Sequence, residues 1–358
     1  MPLLRHDLPL QRRTTEGASL NNADPAAVLV VAPSWIGDAL MSQALLMRLS
    51  ARAPAIDVLA APALQPLFRR MSEVRAVILH PFVHGRLDWA ARWRLGRQLA
   101  GRYACAYVLP NNWKSALVPC FAGIRQRIGY LGERRYGLLN VWRRLDAAAL
   151  PRLVDRYAAL ACEADRQPVK PAEAPRLRSS AEQQAAARQA FGLAQEARPL
   201  IFCPGAEYGP AKRWPAEHFA ALARLLTTPA APVLLLGGPN DKASGRAIAE
   251  LAGGYVRDLC GQTTLDEAID LIAGARAVVS NDTGLMHVAA ALDRPLLALY
   301  GSSSPAYTPP LSARARILSL ALDCAPCFRR QCPLGHMRCL TDLSPARVAE
   351  ALQSLPQE

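Results

Sequence analysis

The chain has 358 residues, half of them apolar, with 42 basic and 29 acidic side chains and a net charge of +13. That length exceeds one ordinary core and predicts two domains of roughly 150 residues each. No apolar run approaches the ~20 residues of a membrane helix. The opening stretch also lacks the apolar segment of a secretion signal, which excludes spanning and secreted classes and makes the cytoplasm the expected compartment.

Residues 1–24 are polar and read as a mobile tail, with a first domain over 25–175. Val28–Ala32 is a short β-branched run and predicts a buried strand. Pro33–Gly37 is a turn, and Asp38 then opens an apolar helix to about Leu49. Further strands are expected at Asp57–Ala60, Ala76–Leu79 and Ala104–Leu109, with helices between them. That alternation predicts a parallel sheet covered on both faces. Pro168, Pro171 and Pro175 mark the linker.

The second domain, 176–343, repeats the rhythm with strands at Leu200–Cys203, Val233–Leu236, Ala277–Ser280 and Leu296–Tyr300. Thr264 and Glu267 are spaced as a capping box. A last helix falls within 344–358, with Ser344 as cap, Pro345 in its first turn, and Val348, Leu352 and Leu355 as its buried stripe. The fold class is α/β, with two doubly wound, Rossmann-like domains facing a cleft. In such sheets ligands bind beyond the carboxyl ends of the strands, so the informative loops are those that follow strands.

Four loops fit that description. "SNDTGLMH" leaves a strand and enters a helix, where unpaired N–H groups and the helix dipole favour an anion. Gly284 would let a ligand approach the backbone, Thr283 would add a hydroxyl, and His287 would point at the same anion. Asp282 would repel a phosphate and fits better beside a polyol. The alternative is that Asp282 or Thr283 only caps the helix. "CPGAEYGPAKRWP" is shaped by Gly205, Gly209 and Pro210, and Lys212 and Arg213 bring cations that could neutralise a departing diphosphate; a solvated basic loop is the alternative. In "LLLGGPNDK", Asp241 could hold ribose hydroxyls or simply cap the next helix. In "PSWIGDALMSQ", Asp38 lies on the opposite wall of the cleft, placed either to take a proton from an attacking hydroxyl or to act as another cap. There is no Walker sequence, no G-x-G-x-x-G after the first strand and no Asp-x-Asp.

Nine cysteines occur. Cys105, Cys120, Cys162, Cys203 and Cys260 sit in apolar surroundings and read as small core residues. Cys324, Cys327, Cys332 and Cys339 crowd together with His336. Plain thiols are the default there, and a structural zinc on the four cysteines is the alternative. The basic surplus, with clusters such as "GERRYG" and "VWRRLD", suggests an anionic partner (nucleic acid, acidic lipid or a phosphorylated ligand); a solvated surface biased towards arginine is the alternative. Non-catalytic nucleic-acid binding would want aromatics interleaved with the arginines, whereas aromatics are only 6% of the chain.

Taken in order, "VVAPSWIGDALMSQ", "GAEYGPAKRWP", "LLGGPNDK", "VVSNDTGLMHVAAALDRPLLALYGSSSP" and "LDCAPCFRRQCPLGHMRC" resemble the ADP-heptose-using glycosyltransferases, family 9, of GT-B fold. The similarity runs from about Val28 to the end of the chain. The resemblance implies an inverting transfer of L-glycero-D-manno-heptose from ADP-heptose to the first heptose of the lipopolysaccharide inner core, with a lipid A–Kdo–heptose acceptor. The cysteine-rich stretch favours this branch over the one that adds the first heptose. Asp38 matches the family's general base and Lys212 its phosphate lysine. Asp282, Thr283, Gly284, Leu285 and His287 match its pyrophosphate and sugar loop, with Gly205 and Asp241 as further donor-binding positions. No cofactor and no catalytic metal are implied. The acceptor is an anionic glycolipid, so transient attachment to the inner face of the cytoplasmic membrane is expected. A related enzyme with another nucleotide sugar or acceptor is the alternative.

Overall fold

The structure is a computed structural model that describes residues 27–83, 85–162, 171–228 and 231–356. The expected tail, 1–24, and Pro168 of the linker lie outside the described residues.

Twelve strands among the described residues form two six-stranded parallel sheets. The first holds β1 (Val28–Val31), β2 (Ile56–Ala60), β3 (Ala76–Leu79), β4 (Cys105–Val108), β5 (Gln126–Tyr130) and β6 (Val141–Arg143), in the order β3-β2-β1-β4-β5-β6. The second holds β7 (Leu200–Cys203), β8 (Val233–Leu235), β9 (Val256–Asp258), β10 (Ala277–Asn281), β11 (Leu296–Tyr300) and β12 (Ala315–Ser319), in the order β12-β11-β10-β7-β8-β9. Read from their third strands, the two orders are identical. Each is the doubly wound order 3-2-1-4-5-6, whose switch point lies between its first and fourth strands. The central strands β1, β7 and β11 are buried along their whole length, as parallel strands covered on both faces must be.

The eight expected strands are all present. The helix expected from Asp38 to Leu49 is two helices, Ile36–Met41 and Gln43–Ser50. They meet at Ser42, whose buried hydroxyl donates back to the carbonyl of Ala39 at 2.6 Å. The Thr264–Glu267 capping box and the Ser344 cap both form. The last helix, Pro345–Gln353, packs on the helix Ala216–Leu226 and on β11, so it completes the second domain.

The two halves are joined over a seam. One core cluster runs through it, containing Leu40 and Met41 from the first half and Met286 and Ala290 from the second. The linker is stitched to both sides. The side-chain amide of Gln43 donates to the carbonyl of Arg176 at 2.9 Å and accepts from the Arg176 N–H at 2.8 Å, while the Leu177 N–H reaches the carbonyl of Ala291 at 2.9 Å. Arg70, at the end of the helix Gln65–Arg69, crosses the seam. Its guanidinium donates to Asp270 at 2.7 and 2.9 Å, to Asp266 at 3.0 Å and to the linker carbonyl of Arg178 at 3.1 Å.

Candidate active site

Asp38 follows β1, Lys212 follows β7 and Asp282 follows β10. All three therefore stand at the carboxyl ends of strands that flank the two switch points. The helix Ile36–Met41 of the first domain packs against the helix Gly284–Ala291 of the second. Two glycines permit that approach. A Cβ on Gly284 would come within 2.7 Å of Cβ of Ile36, and one on Gly37 within 2.8 Å of Cδ2 of His287. The closeness that Gly284 allows is thus to the other domain, a use that the sequence reading had assigned to a ligand.

Lys212 Nζ donates to Asp282 Oδ2 at 2.5 Å, and it lies 5.2 Å from the centre of the Tyr208 ring. This pairing meets the charge of an acid that stands just before a helix amino end. Among the described residues Asp38 has no such partner, and its carboxyl is pushed up to about 6. Burial is the main cause; the positive charge of Lys212 pulls it back down and the negative charge of Asp282 pushes it further up. The three residues therefore form one electrostatic unit, although they come from two domains.

Sequence reasoning missed two phenols that feel the Asp38 charge. Tyr157, on the helix Leu153–Ala159, is 7% exposed. Its phenol is driven well up by burial first and by the Asp38 charge second. Tyr307, from the loop after β11, is raised by burial and by the same charge, with the Arg156 guanidinium opposing from 4.9 Å above its ring. The Leu153 N–H donates to the carbonyl of Tyr307 at 3.0 Å, which ties the two walls together. No spacing rule links Asp38 with positions 157 and 307; only the tertiary fold does.

Asn281 was also missed. It is fully buried at the end of β10, donates to the carbonyl of Pro204 at 2.8 Å and accepts from the Trp214 N–H at 3.2 Å. It thereby braces the loop that carries Lys212. Trp214 buries its ring as expected and donates from Nε1 to the carbonyl of Leu343 at 2.8 Å. A buried amide at a strand end was the available signal for Asn281.

Other expected site residues take more structural positions. Thr283 is the helix cap, its hydroxyl accepting the Leu285 N–H at 3.1 Å. His287 was expected to point at an anion. It is 8% exposed, its ring edge lies against Gly37, and burial holds it down at about 4. A neutral imidazole sealing the seam replaces the cationic contact. Asp241 turns its carboxylate inward, accepting the Gly238 N–H at 3.0 Å and packing on Gly205, which has no side chain to obstruct it. Arg213 approaches the same carboxylate at 3.8 Å. The carboxylate thus closes the turn before the helix Lys242–Ala252 and makes no cap hydrogen bond to that helix, and Gly205 has a reason that does not involve a ligand.

The cysteines are all free among the described residues. Cys203 and Cys260 are buried, but Cys105, Cys120 and Cys162 are only half-buried, short of the core positions expected. Cys324, Cys327, Cys332 and Cys339 line one small cavity with His336. Among the described residues, no group of three or more His, Cys, Asp or Glu side chains is placed to hold a metal ion. The basic clusters divide between surface and interior. In "GERRYG", Arg135 is 1% exposed and its guanidinium donates to the carbonyls of Tyr130, Pro110 and Asn112. In "VWRRLD", Arg143 donates to the carbonyl of Ala159 at 2.9 Å.

The sequence profile of glycosyltransferase family 9 (heptosyltransferase) matches residues 92–338. The chain belongs to this glycosyltransferase family. Among family 9 relatives, it is 46% identical to lipopolysaccharide heptosyltransferase 2 of Salmonella typhimurium over 344 residues, which are 92% of this chain and 99% of that protein. It is equally similar to lipopolysaccharide heptosyltransferase 2 of Escherichia coli K12, over 92% and 98% of the two chains. The solved structure of the E. coli ADP-heptose lipopolysaccharide heptosyltransferase II superposes with a TM-score of 0.82 at 45% identity, again over 92% and 98%. The family 9 enzyme WaaC of E. coli, solved with ADP, shares the fold at a TM-score of 0.69 and 23% identity.

Proposed function

We propose that this family 9 enzyme transfers heptose from ADP-heptose to the first heptose of the lipopolysaccharide inner core, with inversion at the anomeric carbon. The observation that carries the reading is the unit formed by Asp38, Lys212 and Asp282 at the two switch points. The names of its relatives, heptosyltransferase 2 enzymes at 46% identity over nearly their full length, supply the sugar and the acceptor class.

In this mechanism the acceptor hydroxyl gives its proton to the Asp38 carboxylate. Its oxygen then bonds to the anomeric carbon from the face opposite ADP. The bond from that carbon to the diphosphate oxygen breaks, and its electron pair leaves with ADP. Lys212 and the amino end of the helix Gly284–Ala291 stabilise the charge growing on the diphosphate. A base at about 6 suits this task, because it is mostly ionised at neutral pH yet still a useful proton acceptor. Asp282 holds Lys212 in position and is placed to grip the sugar hydroxyls. Leu285 and Thr283 shape the loop. Asp241 and Gly205 form the floor beneath the nucleotide, and His287 keeps the seam closed. The two domains close further on binding, since donor and acceptor groups sit on separate walls.

Among the described residues no helix is long and apolar enough to cross a membrane. We infer peripheral attachment at the inner face of the cytoplasmic membrane, where a lipid-borne acceptor would lie. Incubation with ADP-heptose and a mono-heptosylated lipid acceptor, followed by mass analysis, tests the whole reading. A product heavier by one heptose is expected. No product, or turnover only with a UDP- or GDP-sugar, would discard it.

A further inference from the structure

The helix Trp89–Gln98, which follows β3, packs Leu95 on the core yet also buries an arginine and leaves two indoles half-exposed. Its inward face carries Arg92, 8% exposed, and Gly96, which packs against Phe121. Arg92 is held there by the carbonyls of Leu87 and Lys114, at 2.6 and 3.0 Å, and by the Phe82 ring, 3.9 Å from its guanidinium carbon. Trp89 and Trp93 flank that face and are exposed by 52% and 51%, Trp89 with one edge against the Phe121 ring at 5.1 Å between centres. Val83 and Leu87, in the turn leading into the helix, are 56% and 37% exposed. An ordinary surface helix buries its aromatics and solvates its arginines. Here the segment holds a buried arginine in place with three neutral partners while about half of each of two indoles is left to solvent.

The charges around the indoles point to the occupant. Arg97 is exposed one turn beyond Trp93, Arg94 is exposed further round the same helix, and Arg86 precedes them in the turn. From Pro81 to Arg102 there are five arginines and one acid, Asp88. Indole rings flanked by arginines suit the boundary of a bilayer, where the ring sits at headgroup level and guanidinium groups meet phosphates. The placement fits as well. The segment leaves the carboxyl end of β3, the same edge from which Asp38 leaves β1, and only two strands away, roughly 10 Å at ordinary strand spacing.

We propose that Val83, Leu87, Trp89 and Trp93, with Arg86, Arg94 and Arg97, form the surface by which the first domain docks on an anionic phospholipid bilayer. The cleft is then held beside the plane from which a lipid-anchored acceptor rises. This rests on the functional reading above, and it adds the surface and the lipid chemistry.

The test uses the full-length protein and vesicles of phosphatidylethanolamine with phosphatidylglycerol, against vesicles of phosphatidylcholine alone. Wild type is expected to sediment with the anionic vesicles only, less so as salt rises, and with a blue shift of tryptophan emission. Replacing Trp93→Ala with Arg94→Glu and Arg97→Glu, all at exposed positions, should lower partitioning at least about tenfold. The same variant should lose transfer to acceptor embedded in vesicles while keeping transfer to a delipidated, soluble acceptor. Trp93→Ala alone should shrink the blue shift, leaving the remainder to Trp89, and so reads the surface without charge reversal. Wild-type partitioning by the triple variant overturns the proposal, as does equal binding to both vesicle types, or displacement from vesicles by RNA at low concentration. Absence of wild-type transfer to the soluble acceptor would instead count against the functional reading, because the vesicle result does not depend on it.

Discussion

Two aspartates reach the same cleft from equivalent places and end in different electrostatic situations. Asp38 follows the first strand of the first sheet, and Asp282 follows the fourth strand of the second. Asp282 has a lysine at 2.5 Å. Asp38 has no such ion pair among the described residues, and burial raises its carboxyl to about 6. Similar strand-to-helix turns thus give one acid that is charge-paired and another that can take and release a proton near neutrality. Divergent environments around paired acids are how one site divides its roles. The local sequences, "IGDAL" and "NDTGL", do not reveal which acid is which; the partner 70 residues away does.

The sharpest way to break the comparison is Asp38→Ala. Transfer should fall by about two or more powers of ten, while ADP binding by calorimetry stays near wild type. Retained transfer would mean that the unpaired acid is not the base. Lys212→Ala comes next. ADP affinity should drop about tenfold or more, as expected for a lost hydrogen bond to a charged group. Unchanged affinity would leave the lysine as nothing more than a partner for Asp282. Gly284→Ala probes the contact between the walls. The added methyl meets Ile36, and overpacking of this kind costs about 1–3 kcal/mol. A lower unfolding midpoint is expected, with transfer reduced because Asp38 moves relative to Lys212; an unaltered midpoint would show that the seam yields freely.

The pH response sharpens the same point. A base must be ionised to act, so kcat/KM should fall tenfold per pH unit below about 6. A profile flat from pH 5 to 7 would contradict the raised carboxyl. Stability runs the other way. The folded chain binds the Asp38 proton more tightly than the unfolded chain does, so this group's contribution is present below the ordinary carboxylate range and is lost as pH rises through about 6. Asp38→Asn should therefore stabilise the fold at pH 7.5 by about 1 kcal/mol, with the gain disappearing near pH 4. Equal gains at both pH values would trace the effect to packing instead.

Most of the frame was legible because central parallel strands are continuous apolar runs. The strands that escaped were β5, β6, β9 and β12. Three of these are sheet edges, and their sequences, "VWR", "VRD" and "ARILS", mix charge with apolar residues because one side of an edge strand has no neighbour to bury it. β5 opens with Gln126 and Arg127, which are not buried. The site was legible as a set of loops, since strand ends announce themselves. Its internal assignments were not. Gly284, His287 and Asp241 were each read towards a ligand, yet they meet Ile36, Gly37 and Gly205. Gly205 lies in another loop, and Ile36 and Gly37 lie on a helix of the other domain, beyond the reach of spacing.

Arg70 sets a rule for how the halves can move. Its guanidinium serves Asp266, Asp270 and the carbonyl of Arg178 together. Pulling it off the buried Asp270 would strand two charges, at about 3–5 kcal/mol. Rotation that keeps this clasp shut is far cheaper than sliding that tears it. The halves should swing like the covers of a book, with the spine at residues 70 and 270 and the widest gape at whatever lies farthest from it.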